Sequence, residues 1–409
     1  MEHYDFDLEV PRQNTLADKW RIVQDEDDPH VRHVTDQYFG EDRTLPLWVA
    51  DMDFPCPQPV VDALISRAQH GIYGYTSRDE AYDQAVVSWM HKRHNWAIDP
   101  QWISTTPGVV SALNALVRAF VAPGDKVLIQ PPVYYPFYST IKNNGAHTVK
   151  NSLLYENGQY FMDFDDLAIK VADPQVTMAI LCSPHNPVGR VWTEAELLKF
   201  GEICLANDVL VVSDEIHADL TFFGSIFTPF ARISEQFSRC SVVCTAPSKT
   251  FNLAGLKTSN IIIADQDIRT SFQKTLESNG IHGLNPFGPV ALKAAYNQGE
   301  SWLSQVLQYI EGNYLYLEDF IARNIPEIVV VPLEGTYLVW LDCNHLGLGP
   351  KDLRRLFLDD ARVCLDDGYI FGPEGNGFQR VNIACPRPIL AEALERIKNS
   401  IESRFTVAA

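Results

Sequence analysis

Apolar positions in the middle of the chain alternate between two patterns. Short runs of β-branched and aliphatic residues occur at "KVLIQ" (126–130), "TMAILC" (177–182), "DVLVVS" (208–213), "SVVCT" (241–245) and "NIIIA" (260–264). Runs of that length and composition predict buried strands. Helical spacing marks other stretches. "DEAYDQAVVSWMHKRH" (79–94) places Ala81, Tyr82, Ala85, Val86, Trp89 and Met90 on one stripe, and "VVSALNALVRAF" (109–120) reads the same way. Strands separated by helices predict an α/β fold with a mostly parallel sheet and helices on both faces. Past about residue 290 the texture changes. Helical patterns at 291–298 and 302–322 precede strand candidates "EIVVV", "TYLVWLD" and "RVNIA", which predict a smaller α/β domain. No repeat, low-complexity tract or Gly/Ser linker separates the parts, so they are expected to pack closely.

Composition narrows the function classes. A chain of 409 residues suits two domains, or a large one with a smaller companion. The formal net charge of −19 argues against a general nucleic-acid binder and against polybasic attachment to a membrane. No apolar stretch approaches a transmembrane span. The acidic, polar start "MEHYDFDLEVPRQNTLADKW" is not expected to be a secretory signal. The eight cysteines are scattered without metal-ligand spacing, and several sit inside apolar runs. They are expected to be reduced core thiols of a cytoplasmic protein, with no metal site.

The chemically distinctive residues follow the strands, where open α/β sheets form ligand crevices. Lys249, in "APSKTF", offers an amine that can combine with an aldehyde. Asp214, in "VVSDEIH", puts a carboxylate directly after an apolar strand, where burial is costly unless a cation pairs with it. Asn186, in "SPHNPVG", offers an amide in a proline-bracketed turn, and Tyr134, in "PPVYYPFY", an aromatic face. Singly, each has a structural role open to it: a helix cap, a turn, a core ring. Jointly they match what pyridoxal phosphate requires, which is a lysine for its aldehyde, a carboxylate for its pyridine nitrogen, a donor to its ring oxygen and an aromatic face. Gly108, immediately before a helical pattern, suits the phosphate.

In order, "SPHNPVGRVW", "VVSDEIHADL", "APSKTFNLAGLK" and "RVNIACPR" resemble the fold-type I pyridoxal-phosphate enzymes of the class I/II aminotransferase superfamily over nearly the whole chain. Within that superfamily, "LWVADMDFPCP", "GIYGY", "DEIH" and "EGTYLVW" look like the cystathionine β-lyase, or cysteine-S-conjugate β-lyase, branch. The resemblance implies an N-terminal segment (1–50) packing with the small domain, a large cofactor-binding domain (51–290) and a small C-terminal domain (291–409). It implies that Lys249 attaches the cofactor, Asp214 faces its pyridine nitrogen, Asn186 its ring oxygen, and Tyr134 stacks on the ring. Gly108 and Val109 would approach the phosphate through their backbone. Tyr75 would reach the phosphate of a neighbouring subunit, which implies a homodimer with shared sites. Arg380 would clamp the substrate carboxylate, which suits a guanidinium fork.

The chain also departs from the pattern. Ala246 stands where many relatives have a phosphate-binding serine, which leaves Ser248 as the replacement. Lys257 stands where many aminotransferases have arginine; it neutralises phosphate as a point charge without a bidentate fork. His217 stands in place of a tyrosine, and both a core role and a cofactor contact are open to it. His185 reads as a loop histidine, and Arg387 as a solvated helix start rather than the second carboxylate contact also open to it.

The implied reaction is α,β-elimination: Lys249 removes the Cα proton and a thiolate leaves from Cβ of L-cystathionine or a related cysteine S-conjugate. Pyruvate, ammonia and a thiol result. An aminotransferase shares every step up to the carbanion and stays open as the alternative. A cofactor-binding regulatory protein is a third reading, against which stands the expectation that no DNA-binding module precedes the fold.

Overall fold

The computed structural model describes residues 3–25 and 32–406. Residues 1–2, 26–31 and 407–409, which the sequence reading assigns to the N-terminal segment and the C-terminal domain, lie outside the described residues. Seven strands form the main sheet: β1 (Ile103–Thr106), β2 (Lys126–Ile129), β3 (His147–Lys150), β4 (Val176–Cys182), β5 (Leu210–Asp214), β6 (Ser241–Thr245) and β7 (Ser259–Ile262). Their spatial order is β1-β7-β6-β5-β4-β2-β3. β7 runs antiparallel to both neighbours and the other pairings are parallel. The predicted mostly parallel sheet is therefore present.

Its central strands β4, β5 and β6 are mostly apolar because both faces are covered. Along β4, Met178, Ile180 and Cys182 join the apolar cluster on one face, and Ala179 and Leu181 that on the other. This is the period-2 alternation of a strand with helices on either side. Helix α1 (Glu80–His94) is capped by Asp79, whose carboxylate accepts from the Tyr82 amide at 2.9 Å. Helix α2 (Val109–Phe120) lays Val109, Ala112, Leu113, Leu116 and Val117 onto the sheet.

Helices α3 (Gly288–Gln298) and α4 (Glu300–Asn324) lead to a second, antiparallel sheet. Its strands are β8 (Val329–Val330), β9 (Leu338–Asp342), β10 (Asp366–Asp367) and β11 (Phe378–Asn382), in the order β8-β9-β11-β10. "EIVVV" yields only two strand residues, because Pro332 follows at once and cannot donate to a ladder. A C-terminal helix, α5 (Arg387–Thr406), packs on α4. Near the N-terminus, Leu45–Pro46 pairs with Val363–Cys364, and Phe6 packs on Phe54, Trp302 and Tyr309. Lys19 is fully buried and reaches Asp53 Oδ2 at 2.7 Å, so the segment before Leu45 is anchored by a buried ion pair.

One expectation is refined and one is corrected. His185 does lie in a loop but is fully buried, with Nε2 2.9 Å from the Pro132 carbonyl; burial depresses its pKa to about 4. Arg387 starts α5 but is only partly solvated: its amide donates to the Tyr309 hydroxyl, its guanidinium bonds Asn313 and lies over the Tyr309 and Tyr316 rings. A planar, weakly hydrated guanidinium can stack on aromatic faces while its edge stays partly in water.

Candidate active site

Strand register brings the distinctive residues to one edge. Asp214 at the end of β5 lies level with Cys182 of β4 and Cys244 of β6, so the turns that follow all open on the same side. β2 ends there too, leading into Tyr134, and β1 into Gly108. Arg380 comes from the other sheet: it sits on β11, paired with Trp340 on one side and Asp366 on the other. Between the sheets is a cavity of about 420 Å³. Gly108, Val109, Tyr134, Asn186, Asp214, His217, Ser248, Lys249, Lys257 and Arg380 all line it.

Lys249 sits in the single helical turn Pro247–Thr250, closed by a 2.9 Å bond from the Phe251 amide to the Pro247 carbonyl. It is half-buried, and its Nζ donates to the Ala50 carbonyl at 2.6 Å. The Tyr337 hydroxyl donates to the same carbonyl at 2.9 Å. Burial lowers the lysine pKa to about 8; Asp51 opposes that shift, Arg380 reinforces it and Asp214 opposes it.

Asp214 is buried, accepts a 3.3 Å bond from the Ile216 amide, and has no ion-pair partner among the described residues. Burial raises its pKa to about 7. An isolated buried carboxylate is costly by several kcal/mol, so this position favours a cation beside it. His217 is also buried, its ring edge-on to Tyr337 at 6.1 Å, and its Nδ1 has no partner. Burial, then the positive charges of Lys249 and Arg380, push its pKa well down and keep the imidazole neutral.

Arg380 is buried over the Phe371 ring, 4.8 Å from its centre. It donates to Asn186 Oδ1 at 2.9 Å and to the Trp48 carbonyl at 3.1 Å, and it is paired with Asp366; its Nε has no partner. Tyr134 presents a half-buried ring, edge-on to Phe137 at 5.8 Å. Gly108 precedes the first turn of α2 with φ at +109°, a conformation that favours glycine, and leaves the helix's first amides facing the cavity rim. Lys257, exposed and in the left-handed region at φ +50°, completes that side.

A family model for class I and II aminotransferases matches residues 43–397. The chain belongs to this family. It is 44% identical over 396 residues to cystathionine beta-lyase PatB of Bacillus subtilis, covering 97% of this chain and 99% of that one. It is 38% identical to cystalysin from Treponema denticola, whose crystal structure contains pyridoxal 5'-phosphate; the TM-score is 0.92, covering 98% and 100% of the two chains. A pyridoxal-phosphate-bound C-S lyase from Staphylococcus hominis is 33% identical with a TM-score of 0.88, covering 98% of each chain.

In this class I and II aminotransferase fold, one sequence-derived candidate stands apart. Tyr75 does not line the cavity; it is fully exposed on the segment leading to the Thr76–Leu284 bridge. Several groups lining or bordering the cavity were missed by the sequence reading. The Ala50 carbonyl, Trp48 and Tyr337 lie in stretches that served only as markers of a branch. Asp366 had a usable signal, since "LDDGY" puts paired acids inside a buried strand, yet only strand pairing sets it beside Arg380.

Proposed function

We propose that this chain is a pyridoxal-phosphate-dependent carbon–sulfur β-lyase that cleaves L-cystathionine or related cysteine S-conjugates to pyruvate, ammonia and a thiol. The cofactor reading is carried by Asp214, a buried carboxylate without a cation, sharing one cavity with Lys249. The residues present fit the group: Lys249 for its aldehyde, Asp214 for its ring nitrogen, Asn186 and the unpartnered His217 for ring-side polar contacts, and Tyr134 for a ring face. Gly108, Val109, Ser248 and Lys257 suit its phosphate. The choice of elimination is supported by full-length similarity to a cystathionine β-lyase and to C-S lyases.

When bound, pyridoxal phosphate supplies an aldehyde for the substrate amine and a protonated ring that accepts the electron pair released at Cα. The protein's part is positional and acid–base. Arg380 offers its guanidinium to the substrate carboxylate, with Asn186 and the Trp48 carbonyl fixing its plane. The lowered pKa of Lys249 leaves a substantial share of the amine unprotonated near pH 8, so Nζ can take the Cα proton. Asp214, ionised opposite a ring cation, keeps the ring nitrogen protonated.

Further elements of this reading are a two-copy assembly and a cytoplasmic setting. Ile72, Tyr73 and Tyr75 are all exposed on one segment, which suits a partner surface that delivers Tyr75 to the neighbouring cavity. The described cysteines are unpaired and mostly buried, and no described helix is long and apolar enough to cross a membrane. The division at residues 50 and 290 is retained as part of the proposal. The test is to supply L-cystathionine to the cofactor-loaded protein without a keto acid. Sustained pyruvate formation over many turnovers is expected; a single turnover that resumes only on adding a keto acid would establish an aminotransferase instead.

A further inference from the structure

Behind Lys249, away from the cavity, lies a buried carboxylate that the reaction does not use. Asp219 follows His217 by two residues and is almost fully buried. Its Oδ2 accepts from the Thr250 hydroxyl at 2.8 Å and from Trp89 Nε1 at 3.2 Å. Its Oδ1 is 3.0 Å from His94 Nε2 and 3.6 Å from Arg93 Nε. Burial alone would raise its pKa, but His94, Arg93 and Thr250 outweigh that and hold the carboxyl ionised.

These contacts join three separate pieces of chain. Thr250 is the residue after Lys249 and closes the Pro247–Thr250 turn. Trp89, His94 and Arg93 all belong to the second half of α1. Trp89 also packs on Phe251 at 5.5 Å and stacks on Tyr296 at 4.8 Å, so the chain on the far side of Thr250 rests on the same helix. A turn of four residues has almost no internal ladder to resist rotation. Its orientation must be set from outside.

We infer that Asp219 is a positioning residue: through the Thr250 hydroxyl it fixes the rotation of the turn that aims Lys249 into the cavity, using α1 as the fixed support. A carboxylate suits the task because one oxygen pair can accept from the turn and from the helix together. A neutral amide at 219 would turn a donor toward one of these donors. The inference rests on the proposed role of Lys249 as the cofactor-attachment residue.

The test compares Thr250→Val, which keeps shape and loses the hydroxyl, with Thr250→Ser, which keeps the hydroxyl. Two readouts are taken on loaded protein: the rate at which borohydride fixes pyridoxal phosphate to Lys249, followed by peptide mass, and kcat and KM for pyruvate formation per mole of bound cofactor. Expected for Thr250→Val is slower fixation, with kcat lower by about tenfold to a hundredfold and KM little changed, as for a misplaced reacting group. Thr250→Ser should match the parent. Adding Asp219→Asn to Thr250→Val should cost no more than Asp219→Asn alone, since both act through one bond. Parent-like fixation and kcat in Thr250→Val, or equal damage in Thr250→Ser, would overturn the inference. If Asp219→Asn fails to fold, the Thr250 pair still decides. Fixation needs no elimination chemistry, so a parent enzyme that makes no pyruvate would sink the lyase reading and leave this comparison intact.

Discussion

Replacing Asp214 by asparagine separates a carboxylate kept for a cofactor from one kept for the fold. In the cofactor-free protein its pKa rises from the ordinary 3.8 to about 7, with burial the main cause. The folded value lies above the unfolded one. The associated stability is therefore fully present below the unfolded pKa and is lost as pH rises through about 7. At about 1.4 kcal/mol per pKa unit, the gap amounts to about 4 kcal/mol at pH 8.5. The asparagine side chain has almost the same shape, carries no charge and at worst weakens the bond from the Ile216 amide, about 1 kcal/mol. Cofactor-free Asp214→Asn should thus be more stable than the parent at pH 8.5 by about 3 kcal/mol, with the advantage shrinking toward pH 4.5. Groups elsewhere titrate alike in both proteins and cancel. Adding pyridoxal phosphate should reverse the order, because a ring cation turns the parent's buried charge into half of an ion pair. Urea unfolding at both pH values, with and without cofactor, measures all four differences. A cofactor-free variant less stable than the parent at pH 8.5, or a difference independent of pH, would refute the argument.

Other outcomes follow from the geometry. Arg380→Lys removes the fork that spans Asn186 and the Trp48 carbonyl; KM for L-cystathionine should rise by about 10–100-fold, the scale of a charge-assisted hydrogen bond, with a smaller change in kcat. If Tyr75 serves the neighbouring copy, mixing Lys249→Ala chains with Tyr75→Ala chains should restore one intact site per mixed pair. Pyruvate formation should exceed that of either variant alone; no gain despite exchange of chains, checked by native mass spectrometry, would contradict the shared site. Asn252, in the left-handed region at φ +57°, holds the chain around Ala50 by bonds to Met52 and Phe54. Asn252→Gly keeps that backbone and loses the bonds, so stability should fall by about 1–3 kcal/mol in thermal or urea unfolding.

Much of the fold was legible because this sheet is buried on both faces. A strand covered on both sides reads as an uninterrupted apolar run, and "SVVCT" and "VVSALNALVRAF" mark β6 and α2 to the residue. β1 was invisible for the opposite reason. "ISTT" is mostly polar, yet it lies buried beside β7 because the Thr106 and Ser259 hydroxyls satisfy each other at 2.7 Å. Hydropathy patterns do not register polarity cancelled across a strand pair. The same distinction divides the site. Lys249, Asp214, Asn186 and Arg380 declare themselves through side-chain chemistry that few other residues supply. The Ala50 carbonyl that receives Lys249 could belong to any residue, and only the placement of segment 48–53 under Asn252 and Lys19 selects it.

That division bears on why the site has the composition it does. An unpaired carboxylate at 214, a lysine biased toward its neutral form, an imidazole with an unpartnered nitrogen and a guanidinium with an idle Nε each cost folding free energy. Their local hydrogen bonds repay these costs only in part. The apolar β4, β5 and β6 and the ion pairs behind the site, Asp219 with Arg93 and Asp53 with Lys19, hold the backbone that carries them. A fold selected for stability alone would place a hydrophobe at 214 and a pairing partner at 217. The four exceptions converge on one cavity and complement one another in charge and hydrogen bonding, which random frustration would not do. The proposed cofactor and substrate would explain all four together, bringing a cation to Asp214, an electrophile to Lys249 and an anion to Arg380.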